Sequence, residues 1–267
     1  MTFRFTSSKE LPAALRGSVV AIGNFDGVHR GHQSVLETAL GFARDHGCPA
    51  LVLTFEPHPR QLFQPDRPLF RITPAPMKAD ILRELGFDGV IEMPFTKEFA
   101  RLTADEFVDG VLLEDLAVRQ VVTGFDFHFG RNRQGGPAFL MEAGETRGFH
   151  VTLVDAYRDA NAEVVSSSRV REKLQQGDIS GANGRLGYHY RVEAEVVRGR
   201  RVGLGAIEAV EERGDVDEFP AVFEEVLFEH LRAGQWAGRA GGRVMAHEGG
   251  AWLEAILCED SSSFSMA

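Results

Sequence analysis

A pair of histidines in a glycine-containing loop is the pattern with the clearest chemical potential in this sequence. His29 and His32 flank Gly31 within residues 23–32 (GNFDGVHRGH), between a predicted strand and a predicted helix. Two imidazole donors beside the positive end of a helix dipole suit an anion such as the phosphates of ATP, and a glycine lets that ligand approach the backbone. The alternative is that one histidine caps the helix and the other is an ordinary surface residue.

A second candidate phosphate-binding pattern occupies residues 165–171 (VSSSRVR). The hydroxyl groups of Ser167 and Ser168 and the guanidinium group of Arg171 are donors that could hold a triphosphate. The alternative is a plain serine N-cap followed by two surface arginines.

Two phenylalanine-containing strings follow predicted strands, at residues 54–59 (TFEPHP) and 124–130 (GFDFHFG). Their rings offer stacking surfaces for a planar heterocycle, although phenylalanine at the end of a strand is more often a core residue. His58 and Asp126 are the polar exceptions within these strings.

The elements that must position these residues alternate between strand and helix. The predicted strands cover residues 18–22, 50–55, 121–123 and 151–154. The predicted helices cover residues 35–43, 77–85 and 103–116, the last opening with a capping box at Thr103 and Glu106. This alternation predicts an α/β fold with a doubly wound, mostly parallel sheet, whose ligands lie beyond the carboxyl ends of the strands.

The alternation of predicted strands and helices ends at about residue 185. Residues 166–177 predict a short helix with a serine cap and a glycine stop, and residues 190–198 alternate like a strand. Residues 219–231 predict an amphipathic helix. Beyond Gly234, glycines interrupt every periodic window, so we assign no regular element there.

These motifs resemble the nucleotidylyltransferase superfamily, a Rossmann-like fold, and within it the prokaryotic FAD synthetases. The resemblance covers residues 18–198 and rests on the strings GNFDGVHRGHQ, FEPHP, DFHFG and SSSRVR. It implies that His29, His32 and Arg171 are catalytic. The ATP-binding residues that it implies are Gly23, Asn24, Phe25, Asp26, Gly31, Ser167 and Ser168. The flavin-binding residues that it implies are Phe55, Pro57, His58, Asp126 and Phe127.

Two of these positions are open to another interpretation. Asn24 and Asp26 are about equally well explained as turn formers. His128 stands where the family commonly has arginine, so we leave it out of the catalytic set. The resemblance implies Mg²⁺ bridging phosphate oxygens, with no protein ligand assigned to the metal.

The activity that the resemblance implies is transfer of AMP from ATP to FMN, giving FAD and pyrophosphate. We expect an FMN adenylyltransferase domain at 1–185 and, at 186–267, a partial or degenerate riboflavin-kinase-like region in place of a β-barrel. The kinase signature G-F-P-T-A-N is absent from the sequence, so we expect no riboflavin kinase activity. A replacement domain, a truncation and a frameshift are all open as its origin.

Three other functions stay open at this point. The chain could be a bifunctional riboflavin kinase/FAD synthetase, an adenylyltransferase for another phosphorylated small molecule, or a non-catalytic flavin- or nucleotide-sensing protein. The phenylalanine-containing strings favour the flavin acceptor, and the two phosphate patterns favour an enzyme.

Composition restricts the classes of partner. The formal net charge of −10 disfavours binding to nucleic acid, which depends on basic patches. The chain shows neither a signal-peptide pattern nor a long apolar run, so we expect a cytoplasmic protein whose partners are the small molecules ATP and FMN and which does not bind membranes. Cys48 and Cys258 lack metal-ligand spacing, and the sequence does not set the oligomeric state.

Overall fold

The computed structural model describes residues 3–67, 69–196, 210–212, 240–247 and 250–257. The chain forms two compact units. The first unit contains residues 1–69 and 75–164, and the second contains residues 70–74 and 165–267. The boundary expected at residue 185 on functional grounds stays a prediction, because these units are defined by packing.

The first unit is built on a six-stranded parallel sheet. Its strands are β1 (Arg4–Phe5), β2 (Val19–Ile22), β3 (Ala50–Glu56), β4 (Gly89–Pro94), β5 (Gln120–Gly124) and β6 (His150–Val154). The strand order is β1-β4-β3-β2-β5-β6, and every pair is parallel. This confirms the predicted doubly wound α/β sheet. The winding direction reverses between β2 and β5, and such a reversal is where open α/β sheets bind their ligands.

Strand β2 is apolar along its whole length and β3 is apolar from Ala50 to Leu53, as expected for strands covered on both faces. All four residues of β2 and the first six of β3 are buried. Alternate residues of these strands join a core with apolar side chains from β4, β5 and the helices of the first unit; they are Val20, Ile22, Leu51, Leu53 and Phe55.

The helices of the first unit begin and end where local signals place them. They are α1 (Arg30–His46), α2 (Pro59–Phe63), α3 (Ala75–Glu84), α4 (Ala104–Glu106) and α5 (Pro137–Arg147), with short 3₁₀ turns elsewhere. Helix α1 buries Val35, Leu36, Ala39 and Ala43 and ends at a left-handed Gly47. The predicted helices over 35–43 and 77–85 are therefore confirmed.

The helix predicted over 103–116 is present but changes type. The capping box forms as predicted, because Thr103 N–H donates to Glu106 Oε2 at 2.7 Å and Glu106 N–H donates to Thr103 Oγ1 at 3.1 Å. From Phe107 to Asp115 the chain continues as a π-helix. That wider helix buries Phe107, Val108, Val111 and Leu112.

The second unit contains helices α6 (Ser167–Gln175) and α7 (Ile179–Leu186). Its apolar cluster also includes two residues of the segment 70–74, which lies far earlier in the sequence. The buried members are Phe70, Ile72, Val170, Leu174, Ala182, Leu186 and Tyr190.

Within its described residues, the second unit also contains an antiparallel sheet of β7 (Arg191–Val196), β8 (Val210–Glu212), β9 (Ala240–His247) and β10 (Gly250–Leu257). Their order is β8-β7-β10-β9. Strand β7 matches the predicted strand, whereas β9 and β10 fall where we assigned no regular element. Strand β10 pairs with β7, which is distant in sequence. Local glycine content therefore does not predict this strand. The helix predicted over 219–231 lies outside the described residues.

Candidate active site

Three motif-bearing segments follow three neighbouring strands of the parallel sheet. The His-Gly-His loop (residues 23–32) follows β2, the FEPHP string ends β3, and the DFHFG string follows β5. Strand β2 pairs with both β3 and β5. Because carboxyl ends of parallel strands meet at one edge, the fold brings these segments together at the reversal of winding.

Hydrogen bonds join the neighbouring strand ends. The Gly23 N–H donates to Leu53 O at 3.1 Å, and Thr123 Oγ1 donates to Ile22 O at 2.9 Å. These bonds place the start of the His-Gly-His loop between β3 and β5, so the geometry of the loop depends on both neighbours.

The His-Gly-His loop has a strained backbone. Phe25, Gly27 and Val28 have φ values of 49°, 85° and 36°. A left-handed conformation is disfavoured for residues with a Cβ and most of all for a β-branched residue such as Val28, so it persists only when the surroundings hold it. Such strain concentrates at functional sites.

Buried side chains hold this loop from inside. Phe25 and Asp26 are each 1% exposed and Val28 is 0% exposed. A Cβ at Gly23 would lie 3.0 Å from the Phe25 ring, so the glycine lets that ring fold back under the loop. The ATP-binding roles of Phe25 and Asp26 stay predictions, and Asn24 is exposed.

His29 is the N-cap of α1. Its Nδ1 accepts a hydrogen bond from the His32 N–H at 3.2 Å, and the residue is 5% exposed. A neutral imidazole that accepts at Nδ1 carries its proton on Nε2, so this bond makes Nε2 a donor. The capping alternative for one histidine is thus correct, and capping fixes the tautomer that a phosphate oxygen requires.

His32 is half-buried and stacks on His29. The ring centroids are 3.6 Å apart with an interplanar angle of 16°, and Phe25 lies edge-on to His32 at 5.3 Å. The two imidazoles are therefore held face to face at the first turn of α1. Gly31, in the same turn, is also half-buried. Both rings lie where the helix dipole favours an anion.

Two of the predicted flavin-binding residues, Phe55 and Phe127, belong to one continuous set of aromatic rings, which we call the phenylalanine chain. Its consecutive centroids are 5.1 to 6.2 Å apart, and it joins the end of β3 to the loop after β5. Its members are Phe55, Phe63, Phe95, Phe99, Phe107, Phe127, Phe129 and Phe139.

Members of this chain differ in exposure. Phe55 and Phe129 belong to the hydrophobic core, so the core interpretation of phenylalanine at a strand end applies to them. Phe127 is half-buried, and Phe63 is 66% exposed. Ring surface for stacking on a ligand remains on Phe63 and on half-buried members, which are Phe95, Phe99, Phe127 and Phe139. A flavin role for Phe55 stays a prediction.

The polar residues of the two strings have local structural partners. His58 caps α2, because its Nδ1 accepts from the Arg60 N–H at 3.1 Å, and Pro57 beside it is exposed. Asp126 is exposed, and its carbonyl oxygen lies 2.7 Å from Nδ1 of His128. Their roles in flavin binding stay predictions.

The second phosphate pattern, residues 165–171, opens α6 in the second unit. Ser166 is the N-cap and accepts from the Arg169 N–H at 3.4 Å, so Ser167 and Ser168 occupy the first turn. Arg171 is half-buried, and its Nε donates to Phe70 O at 2.7 Å. That bond orients the guanidinium group. Use of both patterns on one ATP stays a prediction, because they belong to separate units.

Lys78 and Gln33 contact the His-Gly-His loop. Neither residue was among the site residues predicted from the sequence. Gln33 Nε2 donates to Val28 O at 2.8 Å, and Lys78 Nζ lies 3.3 Å from Asn24 O. A signal existed for Lys78, since it precedes Ile81 and Leu82 by three and four residues on the apolar face of α3.

The described residues contain neither a candidate metal cluster nor a candidate membrane-spanning helix. No group of three or more His, Cys, Asp or Glu side chains is arranged to hold a metal ion within that part of the chain. None of its helices combines the length and apolar character that crossing a membrane requires.

A solved structure supports the fold. The crystal structure described as a macrolide-efflux protein from Streptococcus pneumoniae matches with a TM-score of 0.70 and 22% identity, covering 99% of this chain and 86% of that chain. At this level of identity the match concerns the fold alone.

Sequence comparison identifies the family. A family model described as FAD synthetase matches residues 11–169. Bifunctional riboflavin kinase/FMN adenylyltransferases of Escherichia coli K12 and Pseudomonas fluorescens are 36% and 38% identical over 191 and 187 residues, or 72% and 70% of this chain. The chain spans about 60% of the length of these curated relatives, 61% and 60% respectively. Since the family model matches more than half of the 267 residues, the chain belongs to the FAD synthetase family.

Proposed function

We propose that this chain is an FMN adenylyltransferase, which transfers AMP from ATP to FMN and releases pyrophosphate. The observation that carries the proposal is the meeting of the His-Gly-His loop with the FEPHP and DFHFG strings at three neighbouring strand ends. A phosphate-binding loop there lies beside an aromatic surface suited to a flavin. Membership of the FAD synthetase family supports FMN over other phosphorylated acceptors.

The reaction needs little covalent chemistry from the protein. A phosphate oxygen of FMN attacks the α-phosphorus of ATP and forms the new P–O bond. The bond from the α-phosphorus to the oxygen that bridges to the β-phosphorus breaks, and pyrophosphate leaves with that electron pair. Because the nucleophile is already an anion, positioning and charge stabilisation are the main demands on the protein.

The His-Gly-His loop supplies donors for this charge. His29 presents Nε2–H through the tautomer that its cap imposes, and His32 is stacked against it. We assign both to the ATP phosphates and to charge that develops at the α-phosphorus. Ser167, Ser168 and Arg171 would hold the departing pyrophosphate.

Magnesium fits this site as an ion carried by the substrate. Mg²⁺ commonly binds through substrate phosphates, water and few protein ligands, so it does not require a cluster of carboxylates. When bound, it would neutralise phosphate charge.

The direct test is incubation of the purified chain with FMN, ATP and Mg²⁺, followed by chromatographic separation of the flavins. We expect FAD and pyrophosphate in equal amounts, and loss of the product in excess EDTA. Absence of FAD would contradict the proposed function, and unchanged turnover in EDTA would contradict the role of the metal.

We also propose that the chain does not phosphorylate riboflavin. The sequence has no G-F-P-T-A-N string, whose threonine and asparagine the resemblance assigns to ATP and Mg²⁺. Replacing FMN by riboflavin in the same assay tests this. FMN formed from riboflavin at a rate comparable to FAD formation from FMN would contradict it.

A further inference from the structure

Lys78 is a buried cation that the proposed chemistry does not use. Its side chain is 0% exposed, so its ammonium group does not reach solvent. Nζ lies 2.6 Å from Glu56 Oε1 and 2.9 Å from Thr54 Oγ1. Lys78 belongs to α3, and both of these partners belong to the end of β3.

The same ammonium group reaches the His-Gly-His loop. Asn24 O lies 3.3 Å from Lys78 Nζ and also accepts from Thr54 Oγ1 at 3.1 Å. This carbonyl belongs to the peptide unit between Asn24 and Phe25. Because a peptide unit is planar, holding its carbonyl oxygen limits rotation about the next N–Cα bond, which is φ of Phe25.

Phe25 is the first left-handed residue of the loop, with φ 49°. The second non-glycine residue of this kind, Val28, has its carbonyl held by Gln33. Side chains from outside the loop thus fix a peptide unit at each end of the strained segment. Such anchoring is what a disfavoured backbone needs in order to persist.

Stability alone does not explain a lysine at this position. The attraction between two buried charges offsets little more than the free energy needed to remove both charges from water. A protein with an apolar pair of similar volume is often as stable. The apolar alternative would leave the Asn24 carbonyl with one donor fewer. The ion pair therefore serves the shape of the loop.

We propose that Lys78, with Thr54 and Glu56, is a positioning residue that holds the His-Gly-His loop in its left-handed conformation and so aims His29 and His32 at the ATP phosphates. The aiming of the histidines rests on the proposed function. The holding of the loop does not, and it can be measured separately.

The test compares Lys78→Met with Arg4→Met. Arg4 forms the matched control, because it makes a two-bond ion pair with the buried Glu92 at the edge of the same sheet, with distances of 2.8 and 3.1 Å. Amide hydrogen exchange of the peptide covering residues 23–32 is measured for both variants without substrate. The kcat and KM for ATP are measured in parallel.

In Lys78→Met we expect loop exchange to rise roughly tenfold or more, the range set by losing a hydrogen bond to a charged group. The kcat should fall by a larger factor than KM rises, since misaimed donors lose transition-state stabilisation. Arg4→Met should change neither. Loop exchange that stays at the wild-type rate, or rises equally in both variants, would overturn the proposal.

A double variant guards against a misfolded protein. Lys78→Met leaves the Glu56 carboxylate without its cation, so Lys78→Met/Glu56→Gln removes both charges, and it should show the same local rise in exchange. A loop protected as in wild type in the double variant would overturn the proposal. If wild type forms no FAD yet loop exchange rises as expected, the loop-holding role stands and the proposed function is the part that fails.

Discussion

The two candidate phosphate-binding segments are built in contrasting ways. The His-Gly-His loop is irregular and strained, and it is held by buried side chains, an ion pair and two neighbouring strands. The segment that opens α6 is a regular helix start with a serine N-cap, and Arg171 Nε donates there to Phe70 O. Preorganised donors act mainly on the transition state, whereas a helix start and flexible side chains can bind a ground-state anion with little prior ordering. The contrast therefore predicts that the first segment acts mainly in catalysis and the second mainly in binding.

The largest expected effect comes from His32→Ala. We expect kcat to fall by about 10²-fold or more, with a smaller change in the KM for ATP, because a donor aimed at developing charge contributes mainly in the transition state. His46→Ala on the exposed end of the same helix is the control and should leave both constants unchanged. A variant altered only in KM would remove the contrast between the two segments.

A smaller effect is expected from Arg171→Lys. Lysine keeps the charge but lacks the planar fork and the Nε that bonds Phe70 O, so kcat/KM for ATP should fall roughly tenfold. Most of the loss should lie in KM if this segment mainly binds. Arg169→Lys serves as control, and an equal loss in both variants would argue against a specific role for Arg171.

Gly27→Ala tests whether a backbone change in the His-Gly-His loop lowers kcat more than the same change outside the loop. Alanine at the left-handed φ of 85° should lower the free energy of unfolding by about 1 kcal/mol and reduce kcat severalfold. Gly47→Ala, at φ 61° after α1, should cost a similar free energy and leave kcat unchanged. Urea unfolding and steady-state kinetics measure the two quantities. An equal fall of kcat in both variants would show that activity does not depend on the backbone conformation of the loop in particular.

The smallest expected effect concerns acid sensitivity beside α6. A hydrogen bond from Lys173 and the Gly181 N–H lower the pKa of Asp178 below its usual 3.8. A lowered carboxyl pKa adds stability above the unfolded value, and that stability is lost as the pH falls through the folded value. Asp178→Asn keeps a side-chain oxygen for the cap of α7 but has no carboxylate to protonate. Between about pH 5 and about pH 3, the urea midpoint of the variant should therefore fall slightly less than the urea midpoint of the wild-type protein. Identical acid dependence would contradict this.

The sequence predicts the parallel sheet and the placement of the His-Gly-His loop because both follow from local patterns. Apolar runs, caps and glycine stops set strand and helix positions, and strand ends then set the site. Lys78 was missed because its role depends on a contact across 54 residues of sequence with Asn24. The spacing of Lys78 on the apolar face of α3 indicates its burial but not this partner, and the pairing of β10 with β7 likewise depends on residues distant in sequence.

The family resemblance supplied the residue roles, and the structure changes how some of them are understood. His29 was expected at the phosphates, and its cap shows which nitrogen can donate there. Phe25 and Asp26 were expected to bind ATP, which stays a prediction, and their side chains are buried within the loop. Periodicity carries no information on tautomers or on backbone strain, so neither was predictable.

The segment 70–74 has a consequence for the architecture of the gene product. The chain leaves the first unit after Leu69, contributes Phe70 and Ile72 to the cluster of α6 and α7, and returns at Ala75. The units are thus interleaved in sequence, and a stop codon after Val164 would separate Phe70 and Ile72 from the helices that bury them. A fragment ending there should expose apolar surface and tend to self-associate, whereas one extended through Leu186 keeps both helices with that segment. Permutation or domain exchange of this chain must therefore move residues 70–74 together with α6 and α7.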